Sequence, residues 1–225
     1  SGLNLSIETL EGLLKHNGPV YNFDSVNSLI GIKKFKNMIN FNTYPSLEAQ
    51  ISAISDDIAY NNHDIQDGIN ANLFKLEELV EINFFRDIYK KYKNKINKKN
   101  YKIATYQIIR DSIDLMIKDL ISNTKKNIII HNIKTLRDIY KTNFFIVDFS
   151  DKIKKSENEI RYFLKTKMYN NKNIVEKNNK GKSIIRKLFN KIKCDPKKFI
   201  SKDHIKNDSY RAISDFISGM TDRYA

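Results

Sequence analysis

A row of acidic residues with a tyrosine among them is the part of the sequence whose spacing could do chemistry. Asp56, Tyr60 and Asp64 follow one another at intervals of four residues, and Asp67 lies one turn further along. At 3.6 residues per turn these side chains share one face of a helix. Like charges this close on a helix cost roughly a few tenths of a kcal/mol per pair unless a cation or a donor lies between them. The row therefore indicates a binding site.

A second interpretation of this face remains open. The polar face of an amphipathic helix is most often only solvated. His63 lies on the same side of the helix as Asp56, and it is as readily an exposed histidine as a second polar group of a site. The small residues Ala49 and Ala53 flank the row and would let another element or a ligand come close.

The helix that must position the row is predicted over residues 46–69. Its other face is an apolar stripe, and the same helical periodicity recurs along most of the chain. Only residues 143–150 have strand character, and because a lone strand has no partner we predict an extended loop packed on the core. We therefore predict an all-α fold and a single helical unit over residues 1–225. The predicted core includes Leu47, Ile51, Ile54, Ile58, Leu76, Leu120 and Phe216.

Composition limits the classes of partner and compartment. The 225 residues include 40 Lys and Arg against 26 Asp and Glu, a formal charge of +14. Such an excess fits polyanionic partners, either triphosphates or nucleic acid, and equally fits a surface that is only solvated. The single cysteine, Cys194, excludes an internal disulfide and favours a reducing compartment. No apolar run is long enough to span a bilayer. We expect a cytoplasmic protein that does not bind membranes.

Segments along the whole chain resemble one enzyme family. The central helix contains Asp56-Asp-Ile-Ala-Tyr, followed by His63-Asp and Asp67-Gly. The chain opens with Gly2-Leu-Asn-Leu and Lys15-His-Asn, and it ends with Gly219-Met-Thr-Asp-Arg-Tyr-Ala. These segments resemble the HD-superfamily deoxynucleoside triphosphate triphosphohydrolases, the dGTPase-like proteins.

The resemblance implies a fold, an activity and roles for individual residues. It implies an HD-domain-like helical bundle that hydrolyses a dNTP such as dGTP to the deoxynucleoside and inorganic triphosphate, with Mg²⁺ or Mn²⁺ bound. Asp56 matches a metal ligand, Tyr60 the residue that packs on the deoxyribose, and Asp64 the acceptor of its 3′-hydroxyl. We expect Asp57 and His63 to lie behind these groups as supporting polar residues.

The chain departs from the family pattern in its metal ligands. In the family the metal is also held by a histidine and a His-Asp pair that precede the matched region, so this chain resembles the C-terminal part of such an enzyme, without the N-terminal metal-binding helices. We expect the metal to be absent or weakly held, and no catalytic residue is assigned with certainty. We expect no turnover by the chain alone, a requirement for the N-terminal segment or a partner chain, and a homo-oligomer. A basic nucleic-acid-binding module and a non-catalytic assembly subunit are the alternatives.

Overall fold

The all-α prediction is confirmed by the computed structural model, which describes residues 4–205, 208–221 and 224. These residues contain no β-strand. Their α-helices are α1 (Ile7–Leu14), α2 (Phe23–Ile30), α3 (Leu47–Asn70), α4 (Asn83–Tyr92), α5 (Tyr101–Ile130), α6 (Leu136–Tyr140), α7 (Asp151–Leu164), α8 (Lys172–Cys194), α9 (Lys202–Ile205) and α10 (Ser209–Ser218). Short 3₁₀ segments and one π-helical turn, Lys165–Tyr169, connect them. None of the helices in the described ranges has the length and apolar character needed to cross a bilayer.

The central helix, α3, lies within one residue of its predicted bounds. Ser46 caps it, and its hydroxyl accepts the amide N–H of Ala49 at 3.4 Å. Such a cap gives a hydrogen-bond partner to a backbone N–H of the first turn, which has none within the helix. Ile58, Ile65 and Ile69 are buried on the side that packs against α5 and α7. The opposite side of α3 is thereby left for the acidic row.

The predicted core is correct in part. Ile58, Leu76 and Leu120 are buried, and Leu47, Ile54 and Phe216 are half-buried against core clusters. Ile51 is 48% exposed, so its predicted burial is wrong. The reason is that the buried face shifts around α3 near its N-terminus, where the helix packs on residues 143–150 through Gln50 instead of Ile51.

Residues 143–150 are an extended segment packed on the core, as predicted. Ile146, Val147 and Phe149 are buried. The amides of Asn123 and Asn127, on α5, donate to backbone carbonyls of this segment at 2.9 Å. Its backbone polar groups are therefore satisfied by side chains in place of a neighbouring strand.

Internal packing divides the chain into two compact units, residues 1–164 and residues 165–225, whereas we predicted a single unit. The first unit contains α1 to α7. The second contains α8 to α10, with Ile192, Ile200, Ala212 and Ile213 at its core. The division is hard to foresee because no glycine or proline lies between Gly68 and Gly181, so the sequence carries no linker signal there.

Gly68, on the buried side of α3, is expected to tolerate no larger residue. A Cβ at this position would overlap the ring of Phe74, which is itself 3% exposed and packed edge-on against Phe163. We expect Gly68→Ala to lower the free energy of unfolding by about 1–3 kcal/mol, as overpacking does. Chemical denaturation followed by circular dichroism measures this effect.

The matched control is Gly181→Ala in α8, where a Cβ meets no atom within 4 Å. There we expect a gain of up to about 1 kcal/mol, because alanine is the better helix former. If Gly68→Ala also stabilised the protein, the close approach of Phe74 to α3 would be contradicted.

Candidate functional site

The acidic row lies on an accessible face of α3. The Asp56 carboxylate is 62% exposed, the Tyr60 residue 67% exposed, and Asp64 is half-buried. Each step of four residues advances about 6 Å along a helix. The three side chains therefore form a line on one surface that a ligand can reach. Asp67 and His63 are exposed on the same helix.

A histidine from the turn that follows α1 lies beside Asp56. The His16 Nε2 and Asp56 Oδ2 atoms are 3.5 Å apart, and both side chains are partly exposed. The approach is possible because α1 and α3 come close where both carry small residues, with the position of a Cβ on Gly12 only 3.2 Å from that of Ala49. Sequence reasoning had allowed for a close neighbour at Ala49, but it did not place His16 in the site.

A buried lysine fixes the C-terminal end of α1, and His16 is the next residue along the chain. The Lys15 amine is fully buried and donates to Glu11 at 2.5 Å and to the Thr43 hydroxyl at 2.8 Å. The Tyr140 hydroxyl donates to the other Glu11 oxygen at 3.0 Å. Burial of the phenol, together with this bond to Glu11, raises the pKa of Tyr140 to about 12. The network ties α1 to α6 and so holds His16 at the acidic row.

Asp57, next to the predicted metal ligand, has a partner of its own. An Arg161 guanidinium nitrogen lies 3.0 Å from the Asp57 carboxylate, and the Arg161 Nε atom lies 2.5 Å from Glu157. Asn61 donates to the same Glu157 oxygen at 3.5 Å. These contacts join α3 to α7 directly behind the acidic row. The supporting role predicted for Asp57 stays a prediction.

Arg161 is the residue near the site that sequence reasoning missed. The spacing of Glu157 and Arg161 predicts a pair within α7, since side chains four residues apart on a helix meet. The reach from Arg161 to Asp57 depends on how α7 packs on α3, and no local pattern reveals that contact.

The described residues do not by themselves fit a bound metal ion. Among the residues that the structure describes, no three His, Cys, Asp or Glu side chains converge to hold a metal. Asp56 and His16 supply two candidate donors, whereas Mg²⁺ and Ca²⁺ require about six ligands, several of which are waters for Mg²⁺. A resident metal at Asp56 would therefore need donors beyond those described.

A small cleft adjoins the row. It has a volume of about 230 Å³, and its lining includes His16, Asn17, Ala53, Asp57, Phe149 and Glu157. Pockets for small-molecule ligands usually measure about 300–1,000 Å³. The cleft is below this range, and its lining includes none of Asp56, Tyr60 and Asp64.

Comparisons with known proteins find relatives whose sequences match the entire chain. Residues 147–225 match the family model of the phosphohydrolase-associated domain. A deoxyguanosinetriphosphate triphosphohydrolase-like protein from Pelagibacter ubique is 64% identical over 224 residues. Proteins of the same name from Leptospira interrogans and Rickettsia typhi are 36% and 33% identical over 230 and 232 residues.

The matches cover 100% of this chain but only 58–60% of those three relatives. The chain therefore spans about three fifths of the length of the curated proteins it matches. The resemblance noted in the sequence is confirmed by these matches, and the coverage agrees with a portion of such a protein.

Proposed function

We propose that this chain, a homologue of the deoxyguanosinetriphosphate triphosphohydrolase-like proteins, forms part of a hydrolase that converts a dNTP to the deoxynucleoside and inorganic triphosphate. The observation that carries the proposal is the 64% identity to the Pelagibacter ubique relative, which extends over the whole chain and includes α3. The accessible line of Asp56, Tyr60 and Asp64 supports it, since a substrate must reach these side chains.

The contribution of this chain is binding and selection of the sugar. The exposed Tyr60 ring packs on the deoxyribose where a 2′-hydroxyl would lie, so a ribonucleotide is excluded by contact. Asp64 accepts a hydrogen bond from the 3′-hydroxyl. Asp57, held by Arg161, and the exposed His63 border this surface. A carboxylate that accepts such a bond discriminates strongly, because the polar group is left unpaired with an analogue that lacks the hydroxyl.

Asp56 is proposed as one ligand of a divalent ion, Mg²⁺ or Mn²⁺, completed from outside the described residues. A bound ion of this kind lowers the pKa of water and offsets charge on phosphoryl oxygens. The remaining ligands come from the part of the relatives that this chain does not span, or from a partner chain.

A non-catalytic assembly subunit is the second candidate. Exposed apolar side chains favour association with another segment or copy, among them Leu13 at 62% and Ile51 at 48% exposure. Such surface is compatible with an enzyme completed by another segment as well as with a subunit that has no activity. An activity assay therefore separates the two functions.

The test is complementation. We expect the chain alone to release no triphosphate from dNTPs with Mn²⁺ present, because two donors hold the ion too weakly. Addition of the segment of the Pelagibacter ubique relative that this chain does not span should restore release, with dGTP preferred over GTP. Release of intact triphosphate is measured by chromatography of the products.

The control is the same segment without this chain. Robust turnover by the chain alone would show that the metal site is misplaced. A stable complex that lacks turnover under all conditions would favour the assembly subunit, and equal rates with dGTP and GTP would contradict the role of Tyr60.

A further inference from the structure

The positive charge of the protein is concentrated in its second unit. Residues 165–225 contain 16 Lys and Arg against 6 Asp and Glu, a net charge of +10. The first unit, with 24 against 20, carries +4. If the net charge of +14 were distributed evenly along the 225 residues, the 61 residues of the second unit would carry only about +4. A general drift of composition toward lysine does not account for this difference.

Helix α8 carries half of the cationic side chains of this unit. It contains eight Lys and Arg and one acidic residue, Glu176, and all eight cations are exposed. Within the described part of the chain, Lys172 is the α8 cation that has an ion-pair partner, Glu176 at 4.0 Å. Lys193 lies over the Tyr210 ring, with its amine 5.0 Å from the ring centroid. Most of the charge on α8 is therefore available to an external anion.

The cations are arranged in two rows. One side of α8 is apolar. Near its C-terminal end Phe189 and Ile192 pack into the core of the unit, whereas Ile184 and Ile185 are 37% and 54% exposed. The opposite side is a polar strip of Asn179, Ser183 and Asn190. At 100° per residue, three cations flank this strip on each side. These are Lys180, Lys187 and Lys191 on one side and Lys182, Arg186 and Lys193 on the other.

We propose that this face of α8, the strip with its two cationic rows, binds the phosphate backbone of double-stranded nucleic acid. A duplex carries one charge per about 1.7 Å of its axis, and its neutralisation by Lys and Arg releases condensed counterions. An α-helix fits into the major groove, which has phosphates along both edges. Two cationic rows on either side of a narrow polar strip match that arrangement.

The chemistry of the face favours a duplex over two other partners. Single strands are usually held by bases stacked on a series of aromatic rings. Residues 172–188 contain no Phe, Tyr or Trp, and the exposed ring beside the face is Tyr210, which lies under Lys193 at its C-terminal end. A helix that lies in a membrane surface presents a continuous apolar face to the lipid, whereas the apolar side of α8 is partly used by the core of the unit. The proposed contacts depend on the charge of the phosphates and the shape of the groove, so we expect the binding to be independent of base sequence.

The experiment compares two variants of the full chain that lose the same charge. The first carries K180Q, K182Q, R186Q and K187Q in α8; the control carries K93Q, K95Q, K98Q and K99Q between α4 and α5. All eight positions are exposed, and glutamine is about as good a helix former as lysine. Binding to a fluorescent 20-base-pair duplex and to a 20-nucleotide single strand is measured over a salt series.

We expect the unsubstituted chain to bind the duplex more tightly than the single strand, with affinity that falls steeply with salt. The α8 variant should bind the duplex at least about tenfold more weakly, and its salt slope should be smaller by about 3.6, which is about 0.9 for each of the four phosphates that are no longer neutralised. The control should change the affinity by less than about twofold. Circular dichroism should show equal helix content in all three proteins.

Three outcomes overturn the proposal. Equal weakening by both variants would show that net charge alone is responsible. Displacement of the duplex by inorganic triphosphate at the same phosphate concentration would assign the face to small polyphosphates. Binding that depends on α8 but occurs on phosphatidylserine vesicles, and not on the duplex, would assign it to a lipid surface.

Discussion

Replacement of Asp56 by asparagine is expected to abolish triphosphate release by the complemented protein, with a fall of at least about 10³-fold in kcat/KM. A neutral amide takes the place of the charged oxygen that this chain contributes to the proposed metal site. A metal ion supplies several kcal/mol of charge stabilisation in phosphoryl chemistry. Each 1.36 kcal/mol corresponds to a factor of ten in rate, so about 4 kcal/mol gives the expected loss. Initial rates of triphosphate release over a Mn²⁺ series measure the effect.

Asp67→Asn is the control for this change. Asp67 is the exposed last member of the acidic row and undergoes the same loss of charge, but it lies eleven residues, about 16 Å, along the helix from Asp56 and so cannot reach the same metal ion. Its substitution should alter kcat/KM by less than about threefold. Equal losses in the two variants would indicate a general effect of negative charge on α3, and activity retained by Asp56→Asn would remove Asp56 from the metal site.

The sequence is sufficient to predict the helices that carry the site. The bounds of α3 follow from the cap at Ser46 and the apolar stripe, both of which are local signals. The accessible positions of Asp56 and Tyr60 follow from the same periodicity. Features of this kind depend on the order of neighbouring residues, and tertiary packing leaves them unchanged.

The remaining features depend on contacts between distant residues. His16 reaches Asp56 only because α1 packs on α3 where Gly12 meets Ala49, while the buried Lys15 ties the end of α1 to Thr43. Arg161 meets Asp57 across the contact between α3 and α7. Ile51 belongs to the apolar stripe by spacing, yet it is exposed because the segment at residues 143–150 packs on the side of Gln50. Periodicity cannot show which part of an apolar stripe a distant segment will cover.

Gln50→Leu is expected to cause the largest loss of stability among single changes near the site. Gln50 is 1% exposed, and its side-chain oxygen accepts the backbone N–H groups of Ile146 and Val147 at 2.9 and 3.0 Å. Its amide donates to the carbonyl of Pro45 at 2.8 Å. Leucine is of similar size but satisfies none of these three backbone groups. A buried polar group left without a partner costs about 1–3 kcal/mol.

The expected total is a decrease of about 3–5 kcal/mol in the free energy of unfolding, since three groups lose their partner together. That is a large part of the roughly 5–15 kcal/mol typical of a folded protein. The loss should be centred on residues 143–150, because Gln50 is what joins this segment to α3. Urea denaturation measures the total, and amide hydrogen exchange of residues 143–150 locates it.

Gln66→Leu, on the same helix, separates this effect from a general response to the loss of an amide. Gln66 is half-buried and makes no side-chain hydrogen bond among the residues that the structure describes. Its substitution should change the free energy of unfolding by less than about 1 kcal/mol. If Gln50→Leu were equally mild, and exchange of residues 143–150 were unchanged, the extended segment would be held by its apolar contacts with Ile58 and Met116 instead. Its attachment to α3 would then not depend on Gln50.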